Sequence, residues 1–134
     1  MVVALVGLVL TGCADDGGGG GGGGGDPAAF CAAFDDLREG DPFADLAVAS
    51  PGEMRDAFAA LADGAERIAD AAPPDAGLQA RRYADAVEAL RDELAGGGYD
   101  LTQVDHGRYR DGVEAYGRAA TSLANAARAR CDDG

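Results

Sequence analysis

The chain has 134 residues and a formal charge of −13, with 11 Arg, no Lys, and 24 Asp plus Glu. That length leaves room for a single domain once non-globular segments are set aside. So acidic a chain repels nucleic-acid phosphates and anionic lipid, which makes both poor partners.

Met1 to Gly12 carries no charged side chain, and Val2 to Leu10 is unbroken apolar sequence. The run has the length of a signal-peptide apolar region and falls far short of the roughly 20 residues that span a bilayer. It ends in Leu10-Thr11-Gly12-Cys13, which resembles the lipobox of bacterial lipoproteins. In that family an aliphatic residue, two small residues and an invariant cysteine close a short signal peptide. The resemblance implies that residues 1–12 are removed and that Cys13 becomes a diacylglyceryl cysteine at the mature N-terminus. One departure stands out: no Lys or Arg precedes the apolar run. Either the α-amino group alone supplies the positive end, or a basic segment lies upstream of Met1.

Residues 13–26 read as the lipidated cysteine and a linker, because Gly17 to Gly25 are nine consecutive glycines. Glycine offers no side chain to bury and loses the most backbone entropy on ordering. Random-coil scaling gives a tether of about 13 residues an end-to-end distance of roughly 20 Å. A phosphate-binding loop is excluded, since no strand precedes the glycines and no Lys-Ser/Thr pair follows.

Residues 27–134 read as a helical domain. Asp26-Pro27 supplies a cap and a first-turn proline, and Phe30, Phe34 and Leu37 recur at helical spacing up to Gly40. Asp41-Pro42 is compatible with a brief helical turn carrying Phe43 and Leu46. Ser50-Pro51-Gly52-Glu53 is a capping box, followed by the stripe Met54, Phe58, Leu61, Ala65, Ile68 and Ala72. Pro73-Pro74 stops this helix, and an Asp63–Arg67 pair is expected on its outer face. Asp75 is the expected cap of the third helix, whose stripe is Tyr83, Val87, Leu90 and Leu94 and whose end is Gly96-Gly97-Gly98. The last helix is expected from near Thr102, with the stripe Tyr109, Val113, Tyr116, Ala120, Leu123 and Ala127 leading to Cys131. Gly107, Gly112 and Gly117 lie within it, each costing about 1 kcal/mol against Ala.

No strand-like alternation intervenes, so the expected fold is an all-α, up-down four-helix bundle. Of three cysteines, Cys13, Cys31 and Cys131, lipidation of Cys13 leaves an even pair in an oxidising compartment. In the up-down topology the first and last helices are antiparallel neighbours. Cys31 and Cys131 then meet at one end, and a disulfide between them is expected.

The chemistry-bearing residues are few. His106 is the only histidine, and with Tyr109 three residues on it is a weak metal or haem candidate. Asp35, Asp36, Glu39 and Asp41 form an acidic cluster without EF-hand spacing, and Asp132-Asp133 an acidic tail. Both read as solvated surface. Ser50 is accounted for by capping, and Thr121 and Ser122 lack the surroundings of a nucleophile elbow. Tyr83, Tyr109 and Tyr116 sit on apolar stripes, as core residues or as the lining of a pocket between helices. No catalytic motif and no cofactor is read from the sequence. The expected function is a non-catalytic binding module, anchored to the membrane through Cys13 on the extracytoplasmic face. Its partner is an envelope protein or a small ligand, with a small-ligand, metal or haem carrier as the alternative.

Overall fold

The structure is a computed structural model and describes residues 25–39 and 49–131. The lipobox, Cys13, most of the glycine run, the Phe43–Leu46 turn, Asp41 and Asp132-Asp133 lie outside the described residues. The described chain forms α1 (Pro27–Glu39), α2 (Pro51–Ala71), α3 (Gly77–Gly96) and α4 (His106–Cys131).

Local chemistry sets the helix ends. Asp26 Oδ1 accepts from the backbone N–H of Ala28 at 3.0 Å and of Ala29 at 3.3 Å, and Pro27 fills the first position. Ser50 and Glu53 close the capping box as read: Ser50 Oγ accepts from the Glu53 N–H at 3.2 Å, and Glu53 Oε1 accepts from the Ser50 N–H at 3.4 Å. These bonds occupy donors that the first helical turn leaves unsatisfied. At the end of α3 the Tyr99 N–H donates to Leu94 O at 2.8 Å and the Gly98 N–H to Ala95 O at 3.0 Å. This is a Schellman motif, and Gly98 takes its left-handed position with φ 67°. Gly97 serves differently, since a Cβ there would sit 2.8 Å from Val104 Cγ1.

Three expectations need correction. Asp75 does not cap α3; Ala76 stands at that position without a side-chain hydrogen bond, and the Asp75 carboxylate is engaged by Arg130 instead. The last helix begins at His106, not near Thr102, because two aspartates compete as caps. Asp100 Oδ1 accepts from the Thr102 N–H and hydroxyl and holds only a turn, whereas Asp105 Oδ1 accepts from the Arg108 N–H at 2.9 Å and starts α4. The Asp63–Arg67 pair is not among the ion pairs of the described residues, which are Arg38–Asp35, Arg55–Asp56, Arg91–Glu88 and Arg130–Asp75. Exposed pairs gain little over solvation and restrict two flexible side chains, so their formation is weakly driven.

Each helix packs against its chain neighbours, and α1 closes the bundle against α4. Four contacts show the antiparallel arrangement at one end. Cys31 meets Cys131, Asp75 meets Arg130, the Ala72–Ala76 turn joins α2 to α3, and Gly25 approaches the Ala71 and Ala72 carbonyls. The core holds Phe30, Phe58, Ile68, Tyr83, Leu90 and Leu123, all essentially inaccessible. Several other core positions are alanine, including Ala62, Ala65, Ala80 and Ala127. Each buries little area, and burial contributes about 25 cal/mol per Å².

The Cys31–Cys131 disulfide is present, with Cα atoms 5.6 Å apart and 100 residues of sequence separation. At 13 residues against 26, α1 spans about half of α4. The α4 stripe is buried accordingly: Leu123 and Ala127 are inaccessible, Tyr116 and Ala120 are half-buried, and Val113, beyond the end of α1, is 39% exposed. The three glycines do not interrupt α4, and Gly112 lets Leu90 approach closely.

Closing so long a loop contributes about 4–5 kcal/mol in the chain-entropy account. Reduction and alkylation of the disulfide should lower the unfolding free energy by about that amount, seen as a large drop in the urea midpoint. An unchanged midpoint would contradict the role given to the bridge.

Candidate functional site

The seam between α1 and α4, joined at one end by the disulfide, leaves open space beside it. The sequence explains the space. On α4 the residues facing α1 are Ala120, Ala124 and Ala127, while α1 contributes the large Phe34 and Leu37. Alanine carries no atoms past Cβ, so a trough follows the α4 backbone. One cavity of about 360 Å³ is lined by Phe34, Asp35, Arg38, Ala124, Arg128 and Cys131, among others. A second, of about 290 Å³, continues from it over Leu37, Tyr83, Tyr116, Ala120 and Leu123. Phe34, Arg38 and Ala124 line both, so the two form one groove. Each part by itself falls at the lower end of ordinary small-ligand sites in volume.

Tyr83 and Tyr116 meet in this groove. Their rings are 5.5 Å apart and tilted by 46°, and their hydroxyls are 3.3 Å apart. Tyr83 is 1% exposed. Burial, with the Tyr116 hydrogen bond adding to it, pushes the Tyr83 phenol far above its usual range. It therefore stays protonated and acts as a neutral hydrogen-bonding group, not as a base. Two guanidinium groups border the disulfide end of the groove. Arg38 lies over the Phe34 ring at 5.9 Å and 3.9 Å from Asp35, and Arg128 donates to Asn125 Oδ1 at 3.3 Å.

The sequence candidates are dispersed. Tyr83 and Tyr116 come together, whereas Tyr109 packs against the core without lining this groove. His106 is exposed at the first position of α4. No group of three or more His, Cys, Asp or Glu able to hold a metal ion occurs among the described residues. Asp35, Asp36 and Glu39 are exposed on α1, and Thr121 and Ser122 are exposed on α4. Sequence reasoning missed Arg38, Arg128 and the Asp75–Arg130 bridge. The bridge had a signal, since an up-down bundle whose ends are joined by Cys131 also brings Arg130 to the start of α3. Arg130 Nε lies 2.9 and 3.0 Å from the two Asp75 carboxylate oxygens, and Nη2 is 2.6 Å from Oδ1.

Comparison with known proteins found no family model, no curated protein and no solved structure that matches the chain.

The Arg130 hydrogen bond holds the Asp75 carboxyl below its ordinary value of 3.8. A carboxylate depressed on folding stabilises the native state fully above its unfolded pKa, and loses that contribution as pH falls through the folded pKa. Wild type should thus exceed Asp75→Asn in urea midpoint by a constant margin above about pH 5, and the margin should close below about pH 4. Comparing the two chains cancels the titration of the other carboxylates. A margin that widens on acidification would contradict the assignment.

Proposed function

We propose that this chain is an exported lipoprotein whose helical domain acts by binding, tethered through Cys13 to the extracytoplasmic face of a membrane. The Cys31–Cys131 pairing is the observation that carries this reading. It accounts for two of the three cysteines, leaves the lipobox cysteine as the odd one, and suits an oxidising compartment. Lipidation of Cys13 would leave an even number of cysteines, and the remaining two are paired. No helix among the described residues is long and apolar enough to cross a membrane, so attachment in this reading rests on acyl chains at Cys13. Two or more chains suffice, at about 0.8 kcal/mol for each buried methylene. Gly25, the last glycine of the tether, lies at the disulfide end of the bundle beside Ala71 and Ala72. In this reading that end faces the membrane and the Gly97–Asp105 loop faces away.

The alternative, a small-ligand carrier, is favoured by the groove floored by Tyr83 and Tyr116. A carrier of metal or haem at His106 and Tyr109 has less in its favour, because Tyr109 packs on the core while His106 points to solvent.

Fractionation tests the anchor. The wild-type chain is expected in the membrane fraction, and Cys13→Ser is expected to move nearly all of it to the soluble or secreted fraction. Cys13→Ser protein that remains on the membrane would overturn the anchor.

A further inference from the structure

The groove carries two kinds of chemistry along its length. Its middle and far part are apolar apart from Arg38, which lines both cavities: Phe34, Leu37, Ala120, Leu123, Ala124 and the Tyr83–Tyr116 ring pair. Its disulfide end is bordered by two guanidinium groups against one carboxylate, Arg38 and Arg128 against Asp35. The Arg38–Asp35 separation of 3.9 Å, with side chains 67% and 62% exposed, is a loose surface contact. Arg128 has a neutral partner, Asn125. Both guanidinium groups therefore retain donors for an anion. This is a local reversal of sign on a chain of charge −13.

We propose that this groove binds a small single-chain amphiphile with an anionic head. The head sits between Arg38 and Arg128 beside the disulfide, and the apolar body runs over Phe34 and Ala124 to the tyrosine pair. This deepens the reading of the domain as a binding module and rests on it. A folded peptide or protein partner fits less well. The large exposed apolar side chains of the described residues, Leu78 and Val113, do not line the groove, whose own apolar side chains are recessed. Helix docking needs apolar anchors presented at the surface, whereas a trough whose two parts hold about 360 and 290 Å³ suits an acyl-chain-sized body. The tyrosine hydroxyls bond each other at 3.3 Å, so an apolar chain over their rings leaves that hydrogen bond in place.

The test is titration calorimetry on the full chain carrying Cys13→Ser, with its disulfide intact and dodecanoate below its micellar concentration as the probe. One saturable site is expected. Arg38→Gln and Arg128→Gln should each weaken it about tenfold. Ala124→Trp, which fills the trough shared by both cavities, should abolish it. Circular dichroism and a cooperative melt establish that each variant is folded. Dodecanol should bind about tenfold more weakly than dodecanoate, and dodecyltrimethylammonium more weakly still. The absence of saturable binding would overturn the proposal. So would binding that survives Ala124→Trp, or equal binding of anionic and cationic heads. Association with phosphatidylglycerol vesicles that is unchanged in Ala124→Trp would replace it with adsorption to a membrane surface. Calorimetry reads the groove and fractionation reads Cys13, so either reading can fail without the other.

Discussion

The disulfide between Cys31 and Cys131 is the constraint on which the rest of the fold depends. Helix α1 is short, yet it supplies Phe30 and Phe34 to the core. A helix of 13 residues has little stability of its own, so α1 relies on what holds it in place. Its packing against α2 and α4 is partly through alanine, and small side chains bury little area. The covalent link offsets that deficit by restricting the unfolded chain. The Asp75–Arg130 bridge acts at the same end, tying the start of α3 to the residue before Cys131. One end of the bundle thus adds a covalent link and an ion pair to its cap and turn, whereas caps and turns hold the other end.

That asymmetry bears on function. Gly25 lies at the bound end, which in the proposed reading is where a tether would act on the bundle. The groove opens from the same end, because the bridge fixes how closely α1 and α4 can approach while the alanines of α4 leave the space beside Phe34 unfilled. Three features thus meet at one pole of the molecule: Gly25 leading into α1, a covalent closure and a trough bordered by arginines. The opposite pole is held by the backbone hydrogen bonds of the Schellman turn at Gly98 and by the Asp100 and Asp105 carboxylates accepting from backbone N–H groups.

Much of the fold was legible in the sequence because its signals are local. The Ser50 capping box, the Pro73-Pro74 stop and the stripe from Met54 to Ile68 each depend on a few neighbouring residues, and each is seen. The four-helix topology followed from short connections, and the cysteine pair from cysteine arithmetic, with that topology bringing the two ends together. Local signals failed where two residues compete for one role. Both Asp100 and Asp105 can cap, and only tertiary context makes Asp105 the start of α4. Asp75 has the chemistry of a cap, but Arg130, far away in sequence, takes its carboxylate. The α4 stripe ran ahead of its burial, because periodicity does not report that α1 ends near Tyr116. The candidate site was half legible: Tyr83 and Tyr116 were named, but their meeting, and the arginines beside them, depend on how α1 lies along α4.

The central claim is an exported, lipid-anchored chain whose other two cysteines staple a helical bundle. It is tested most directly by the intact mass of the protein extracted from membranes, alkylated with and without prior reduction. The account predicts a mass beginning at Cys13 with an added diacylglyceryl group, and two alkylated thiols that appear only after reduction. A mass beginning at Met1, with three thiols alkylated without reductant, would contradict it.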